Sequence, residues 1–265
     1  MSAIVINEGL VHYEVIGRGK PLIFIHGWLG SWRYWVPAME ELSAKYRAYA
    51  LDLWGFGDSD KLRGRYSVDA YVQLLKDFLD KLGVGANDPV TLIGHALGGV
   101  VALKFASQTT DLVERVVGVS VPLAGTAVHR PLASFSGNED ALARLAARRA
   151  KFPEVEMEVR KTDVSAVTGS THSVIVSDLS QVWSPLDMPV LLVYGGDDPL
   201  IAPPQQEWLQ IGQDNVRAIF LNGARHFPML EERSKFNRLL MDFLDAGDDL
   251  TSLELKEEWW QRRQR

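Results

Sequence analysis

A strand, a sharp turn and a helix surround the position in this chain that is best suited to covalent chemistry. The stretch from Pro89 to Gly99 reads PVTLIGHALGG, in which a β-rich apolar run meets a cluster of glycines. Gly94 and Gly98 match the two glycines of the nucleophile elbow, G-x-S-x-G, which presents a nucleophile on a tight turn. The central position holds Ala96, and a methyl group cannot attack a carbonyl carbon. The stretch therefore predicts a setting for nucleophilic catalysis from which the attacking atom is missing.

Ala96 leaves two interpretations open. In the first, alanine replaces the serine of a hydrolase, which removes the covalent route and would trap a bound state. In the second, the chain is a natural member of its fold that works without this serine. Both interpretations keep position 96 at the centre of the site.

The elements around the elbow alternate between strands and helices. Apolar runs predict strands at 10–17 (a half-buried edge strand), 22–25, 46–51, 113–121, 189–194 and 216–221. Amphipathic patterns predict helices at 32–44, 67–82, 203–211 and 234–246, and a docked helix or partly ordered tail at 254–265. This alternation favours right-handed crossovers and a mostly parallel sheet. Ligands of such sheets bind at the carboxyl ends of the strands, where the glycine-rich turns lie.

The alternation is interrupted between residues 122 and 187. Asn138 is typical of a helix start, and an apolar stripe follows it, whereas the pattern beyond Pro153 is mixed. We therefore predict a core formed by 1–121 and 188–265 and a small, mainly helical lid formed by 122–187. The lid is expected to lie above the carboxyl ends of the strands and to supply most of the side chains that select the substrate.

Four motifs occur in a fixed order at the ends of predicted strands. They are His26-Gly27-Trp28, the run Asp52–Ser59, the elbow, and the pair Asp198 and His226. With these motifs, the chain resembles the α/β-hydrolase-fold superfamily along nearly its whole length. The resemblance implies a mostly parallel eight-stranded sheet flanked by helices, with a small helical lid.

The resemblance also implies the roles of a catalytic triad. His226 lies in the loop before the last helix, where the family has its catalytic base, and Ala96 takes the nucleophile position. The family pattern Gly-x-x-Asp, counted from Gly195, selects Asp198 over Asp197 as the acid that orients the base. Acyl transfer needs these three groups together, because the base must take the nucleophile's proton and the acid must orient the base.

Backbone N–H groups are expected to hold the developing oxyanion, which requires position rather than a side-chain type. The resemblance points to the N–H groups of Trp28 and Leu97 for this oxyanion hole. Trp28 and His95 are candidate substrate-binding residues, although a histidine such as His95 or His26 beside a site more often bonds to loop backbone. Trp32, Trp35 and Trp54 follow Trp28 near the predicted site, whereas His129 and His172 fall in the lid.

Composition excludes several classes of function. The net charge of −6 argues against a nucleic acid or an anionic membrane as partner. The chain has no cysteine, which excludes disulfides, thiolate catalysis and cysteine–zinc sites. No His/Asp/Glu cluster has metal-ligand spacing, so neither a metal nor a cofactor is expected. The N-terminal residues lack the pattern of a signal peptide, and no apolar run reaches a membrane-spanning length, so we expect a cytoplasmic protein.

These observations predict a hydrolase of carboxylic esters whose small-molecule substrate carries an apolar or aromatic part. Carbon–carbon bond hydrolases, lactonases and thioesterases use the same triad, and a water-activating hydrolase, a lyase or a ligand-binding pseudoenzyme would suit a natural Ala96. Haloalkane dehalogenases and epoxide hydrolases carry Asp at the elbow, so Ala96 could in principle replace an Asp, but three features oppose this. Leu97 stands where those families usually have Trp, no proline follows His26-Gly27-Trp28, and the predicted lid contains no tyrosine to activate an epoxide.

Overall fold

A computed structural model describes residues 2–149, 152–177, 179–182, 186–204, 215–247, 250 and 253 of the chain. The described residues form one eight-stranded sheet with the strand order β1-β2-β4-β3-β5-β6-β7-β8. The strands are β1 Ser2–Ile6, β2 Gly9–Gly17, β3 Lys20–Ile25, β4 Tyr46–Leu51, β5 Val90–His95, β6 Val113–Val119, β7 Val190–Gly195 and β8 Val216–Leu221. The pairs β1–β2 and β2–β4 are antiparallel, and every other neighbouring pair is parallel. The predicted fold class is therefore confirmed.

Helices flank this sheet. They are α1 Val36–Leu42, α2 Val68–Leu82, α3 Leu97–Gln108, α4 Arg130–Ala133, α5 Glu139–Arg149, α6 Pro153–Val159, α7 Val164–Val176, α8 Pro228–Glu231 and α9 Arg233–Asp245. The start and end predicted for the second helix are confirmed. The Ser67 hydroxyl accepts a hydrogen bond from the N–H of Ala70, and Gly83 ends α2 with φ +63°.

One strand prediction is wrong in its position in the sheet. The segment 10–17 was expected at an edge, but β2 lies between β1 and β4. The edge strand on this side of the sheet is β1, which was not predicted. Asn7 and Glu8 both have positive φ values, 46° and 68°, and form the two-residue turn that folds β1 back onto β2.

The segment 122–187, here named the cap segment, contains α4 to α7, and the stretch with mixed signal beyond Pro153 is helical. Residues 205–211 of the helix expected at 203–211, and the tail 254–265, lie outside the described residues. No helix within the described ranges is both long and apolar enough to cross a membrane.

Candidate active site

The turn between β5 and α3 holds Ala96 in a backbone conformation that alanine rarely adopts. Its φ and ψ are 47° and −109°, and its side chain is completely buried. The N–H of Ala96 donates to the Val119 carbonyl at 2.8 Å, and its carbonyl accepts from the N–H groups of Gly99 and Val100, each at 3.1 Å. Backbone strain of this kind costs on the order of 1–3 kcal/mol and persists where the surrounding structure enforces it.

The elbow glycines leave no room for side chains. A Cβ at Gly98 would lie 2.3 Å from the carbonyl oxygen of Ile25, and a Cβ at Gly94 would lie 2.3 Å from the carbonyl oxygen of Gly98. Each is closer than two non-bonded atoms can approach, and the obstructing atoms are backbone. The elbow therefore depends on glycine at both positions so that β3, β5 and α3 can approach each other.

Asp198 and His226 lie within hydrogen-bond distance of each other at the carboxyl ends of β7 and β8. His226 Nδ1 lies 2.9 Å from Asp198 Oδ2 and 3.1 Å from Oδ1, and the two side chains are 2% and 1% exposed. Asp198 Oδ1 also accepts the N–H groups of Leu200 and Ile201 at 2.8 and 3.0 Å. Burial acts to raise the pKa of Asp198, but the charge and hydrogen bond of His226 and these two N–H groups outweigh it and lower the pKa to about 2.

Glu231, which no sequence motif indicated, stabilises the loop that carries His226. Its Oε2 accepts the N–H groups of Arg225 at 2.5 Å and Phe227 at 3.2 Å, one on each side of the histidine. A Cβ at Gly195 would lie 1.9 Å from the Arg225 carbonyl oxygen, so the backbone at the end of β7 packs directly against this loop. The sequence signal was an acid in the first turn of a short helix, where it can reach back to free N–H groups.

Trp28 connects the loop after β3 to the cap segment. Its indole Nε1 donates to Ser170 Oγ on α7 at 2.9 Å, and both side chains are buried. Leu97 is the first residue of α3, so its N–H has no acceptor within the helix. Of the other tryptophans expected near the site, Trp35 packs against Phe24 in the core and Trp32 lies under the guanidinium of Arg33.

His95 uses both of its ring nitrogens within the protein. Nδ1 lies 3.0 Å from the hydroxyl of Tyr34, and Nε2 lies 2.8 Å from the carbonyl oxygen of His226. The side chain is 1% exposed. His95 is therefore bonded to loop backbone, the more frequent role for such a histidine, rather than placed as the candidate substrate-binding residue. Tyr34 was not singled out from the sequence, because spacing along the chain does not give the direction of a ring. Neither nitrogen remains for a substrate hydrogen bond in this arrangement.

His26 and Asp52 hold the loops next to the elbow. His26 Nδ1 donates to the Gly27 carbonyl at 2.8 Å, and its Nε2 accepts the Leu53 N–H at 3.0 Å. Burial lowers the pKa of His26 to about 4, although the bond to the Gly27 carbonyl opposes that shift. Burial raises the pKa of Asp52 to about 7, although the hydrogen bonds that it accepts from the N–H groups of Asp58 and Trp32 act to lower it.

His12, Asp52 and Asp58 each bring one potential metal-ligating atom to within 4.8 Å of the others, a cluster that the sequence spacing did not reveal. The carboxylates are already engaged, because both oxygens of Asp52 accept backbone N–H groups and Asp58 Oδ1 pairs with Lys161 Nζ at 2.7 Å. Arg33 lies 3.5 Å from the other oxygen of Asp58. Two neighbouring cations make this an ion-pair network rather than a metal centre.

The same network ties the cap segment to the core. Glu158 on α6 is 1% exposed and receives Arg33 Nε at 2.8 Å and Lys161 Nζ at 3.0 Å. Asp163, at the start of α7, accepts the Tyr66 hydroxyl at 3.0 Å. Phe152 packs against Phe227 with ring centroids 6.2 Å apart, which brings an aromatic side chain of the cap segment next to the His226 loop.

Comparisons with known proteins agree with this architecture. The model of the alpha/beta hydrolase family matches residues 22–239. The (E)-2-((N-methylformamido)methylene)succinate hydrolase of Acinetobacter baylyi is 24% identical over 91% of this chain and 96% of its own length. A soluble epoxide hydrolase of Corynebacterium sp. is 37% identical, over 42% of this chain and 38% of its own. The crystal structure of the enol-lactonase from Burkholderia xenovorans LB400 has a TM-score of 0.80 and 20% identity, and covers 92% of this chain and 99% of that one.

Proposed function

This chain belongs to the alpha/beta hydrolase family, and on that premise we propose that its site acts on carboxylic esters, with position 96 as the place of the nucleophile. The observation that carries the proposal is the buried Asp198–His226 pair at the carboxyl edge of the sheet that also holds the elbow. An ionised Asp198 accepts a hydrogen bond from the Nδ1–H of His226. The lone pair of Nε2 is then free to take a proton from a reacting hydroxyl.

The covalent route would need one oxygen atom at position 96. With a serine there, His226 Nε2 takes the hydroxyl proton while the oxygen attacks the ester carbonyl. The oxyanion of the tetrahedral intermediate then accepts hydrogen bonds from the N–H groups of Trp28 and Leu97. When the intermediate collapses, the proton passes from His226 to the departing alcohol, and water later releases the acid by the same two steps.

In the chain as it stands, His226 can act only on water. The retained Asp198–His226 pair favours a second candidate function, in which Nε2 takes a proton from a water molecule that attacks the substrate directly. Pure ligand binding would not require this buried Asp–His pair. Because the covalent step is absent, we expect ester turnover by the Ala96 chain to be negligible.

We propose that the cap segment serves as the lid and selects the substrate. Trp28 meets Ser170 of α7, and Phe152 of the cap segment packs near the base. These aromatic side chains favour a small substrate with an apolar or aromatic part. The acyl chemistry is shared by esters, lactones and thioesters. An epoxide hydrolase, like the Corynebacterium relative, is not proposed, because Leu97 stands where that family usually has Trp and the cap segment contains no tyrosine to activate an epoxide.

Hydrolysis of p-nitrophenyl acetate and butyrate by purified variants tests the proposal. The Ala96→Ser protein should exceed the unaltered chain by at least about a thousandfold in kcat, and this gain should be lost when His226→Ala is added. His172→Ala is the matched control, since His172 is exposed on the cap segment. Fast turnover by the Ala96 chain that disappears in His226→Ala would instead support the water-activating function. A folded Ala96→Ser protein that is inactive on esters, lactones and thioesters would refute the hydrolase proposal.

A further inference from the structure

A chain of buried hydrogen bonds joins the loop after β3 to the loop that carries His226, and it runs through His95, the residue before Ala96. The Gly27 N–H donates to the Tyr34 hydroxyl at 2.5 Å, that hydroxyl meets His95 Nδ1 at 3.0 Å, and His95 Nε2 meets the His226 carbonyl at 2.8 Å. We infer that Tyr34 and His95 are positioning residues that hold the oxyanion donor and the base in register. The inference rests on the proposed function, because it takes the Trp28 N–H as that donor.

The partners fix the direction of every bond in this chain. A carbonyl oxygen only accepts, so His95 Nε2 must carry the proton that it shares with His226. His95 Nδ1 then presents a lone pair and accepts the Tyr34 O–H, while the Tyr34 oxygen accepts from Gly27. Burial lowers the pKa of His95, the neighbouring His226 lowers it further, and burial raises the pKa of Tyr34. Both side chains therefore stay neutral, as the bond directions require.

Tyr34 positions the oxyanion donor, the Trp28 N–H, indirectly, through the two peptide groups on either side of the Gly27 Cα. The hydroxyl holds the Gly27 N–H, while His26 Nδ1 at 2.8 Å and the Gly30 N–H at 3.2 Å hold the Gly27 carbonyl. In a trans peptide the Trp28 N–H points opposite to the Gly27 carbonyl, so anchoring that carbonyl aims the Trp28 N–H. A Cβ at Gly27 would lie 3.0 Å from Ala96 Cβ, so this peptide runs directly beside the nucleophile position.

His95 reaches the base through the backbone of His226. Its Nε2–H anchors the His226 carbonyl, and the two imidazole rings pack with centroids 4.6 Å apart. His95 is also the residue before Ala96. A shift of its ring would therefore displace the elbow, the backbone of the base and, through Tyr34, the Gly27 N–H. None of these contacts involves the substrate, so the expected effect falls on the geometry of the reacting groups rather than on substrate affinity.

Three substitutions cut this relay at chosen points. Tyr34→Phe removes the hydroxyl and keeps the ring. The Asn Oδ1 in His95→Asn occupies the place of Nδ1, which keeps the Tyr34 contact and breaks the bond to His226. The Gln amide in His95→Gln reaches the place of Nε2, which keeps the bond to His226 and breaks the Tyr34 contact. Tyr71→Phe is the matched control, because Tyr71 is also fully buried and its hydroxyl donates to the Trp54 carbonyl at 3.0 Å.

The first readout uses the Ala96 chain and needs no activity. Tyr34→Phe should move the amide NMR signal of Gly27 and also the imidazole signals of His226, which Tyr34 does not hydrogen-bond. His95→Gln, which also breaks the Tyr34 contact, should likewise move the Gly27 amide signal. If Tyr34→Phe shifts the His226 imidazole no more than Tyr71→Phe does, the coupling is absent and the inference is overturned. This arm stands even if the Ala96→Ser protein proves inert, an outcome that would count against the proposed function alone.

The second readout is the rate at which a fluorophosphonate labels the Ala96→Ser protein. Tyr34→Phe should slow labelling by a factor of about 10 to 100. The loss should stay below roughly 100-fold, because that is the smallest effect expected when a whole oxyanion donor is removed. Ester kinetics should show the loss in kcat with KM little changed. Adding His95→Gln to Tyr34→Phe should cause little further loss, since both cut the same contact, whereas adding His95→Asn should cause more. Equal labelling rates for the Tyr34→Phe and Tyr71→Phe proteins would overturn the inference.

Discussion

Replacing Asp198 with asparagine should reverse the orientation of the proton on His226 without removing the loop anchor. Asp198 Oδ1 accepts two N–H groups, from Leu200 and Ile201, and these demand an oxygen. In Asp198→Asn the amide oxygen must therefore face them, which directs the amide NH₂ toward His226 Nδ1. Nδ1 then has to accept, so the proton moves to Nε2 and the imidazole can no longer act as a base toward position 96.

Two magnitudes are expected, one for the loss of labelling rate and one for the stability that ionised Asp198 contributes. In serine proteases the same exchange of Asp for Asn lowers kcat about 10⁴-fold, and we expect a loss of that order in the labelling rate of the Ala96→Ser protein. The pKa of Asp198 falls from 3.8 to about 2 in the folded chain, so its ionised form contributes on the order of 2 kcal/mol of stability. That contribution is complete above about pH 4 and is lost as the pH falls through 2.

The assays are fluorophosphonate labelling in the Ala96→Ser protein and ¹⁵N NMR of the His226 ring in the Ala96 chain. Asp198→Ala is the comparison, because it leaves the Leu200 and Ile201 N–H groups without their acceptor but does not force a tautomer. The asparagine variant should be the more stable of the two and should carry the proton on Nε2. A ring that keeps its proton on Nδ1 in Asp198→Asn, or a labelling rate within tenfold of the parent, would refute this reasoning.

Two further predictions concern the loops around the site. Glu158→Gln should lower the free energy of unfolding by on the order of 1–2 kcal/mol, because the buried acceptor between Arg33 and Lys161 loses its charge. The loss is limited because both cations remain partly solvated. Hydrogen exchange should increase over 153–163, and unchanged exchange there would argue against the tie between cap segment and core. His26, whose pKa is lowered to about 4 from 6.5, binds its proton less readily in the folded than in the unfolded chain, so stability should fall by on the order of 3 kcal/mol as the pH drops from 6.5 to 4. His26→Asn keeps a donor for the Gly27 carbonyl and does not titrate, so urea unfolding at several pH values should show a shallower slope, and an unchanged slope would assign the pH dependence to other groups.

The sequence predicted the parts of the fold whose environment is uniform along the chain. The strands β3, β5 and β7 are buried on both faces and read as continuous apolar runs, and α2 carries its own cap residues at both ends. The edge strand β1 was missed, since its alternation is short and its turn uses Asn7 and Glu8 rather than glycine.

The site was predicted in composition but not in its supporting contacts. The elbow could be recognised because its glycines are required by backbone contacts that any sequence of this geometry must respect. Asp198 and His226 were identified only through family resemblance, and the structure brings them to 2.9 Å. Tyr34 and Ser170 escaped notice because each bonds to a residue that is distant in the chain, His95 and Trp28, and sequence spacing gives no direction for a side chain. Glu231 was missed although its place in the first turn of a short helix is a local signal.

The most direct test of the central claim is intact-protein mass spectrometry of the Ala96→Ser protein after treatment with a fluorophosphonate. We predict one adduct per chain, which peptide mapping assigns to position 96. The unaltered chain should give no adduct there, and the Ala96→Ser protein that also carries His226→Ala should react far more slowly. A folded Ala96→Ser protein that acquires no adduct at position 96, or one that reacts equally fast without His226, would contradict the claim that this elbow is the reacting centre.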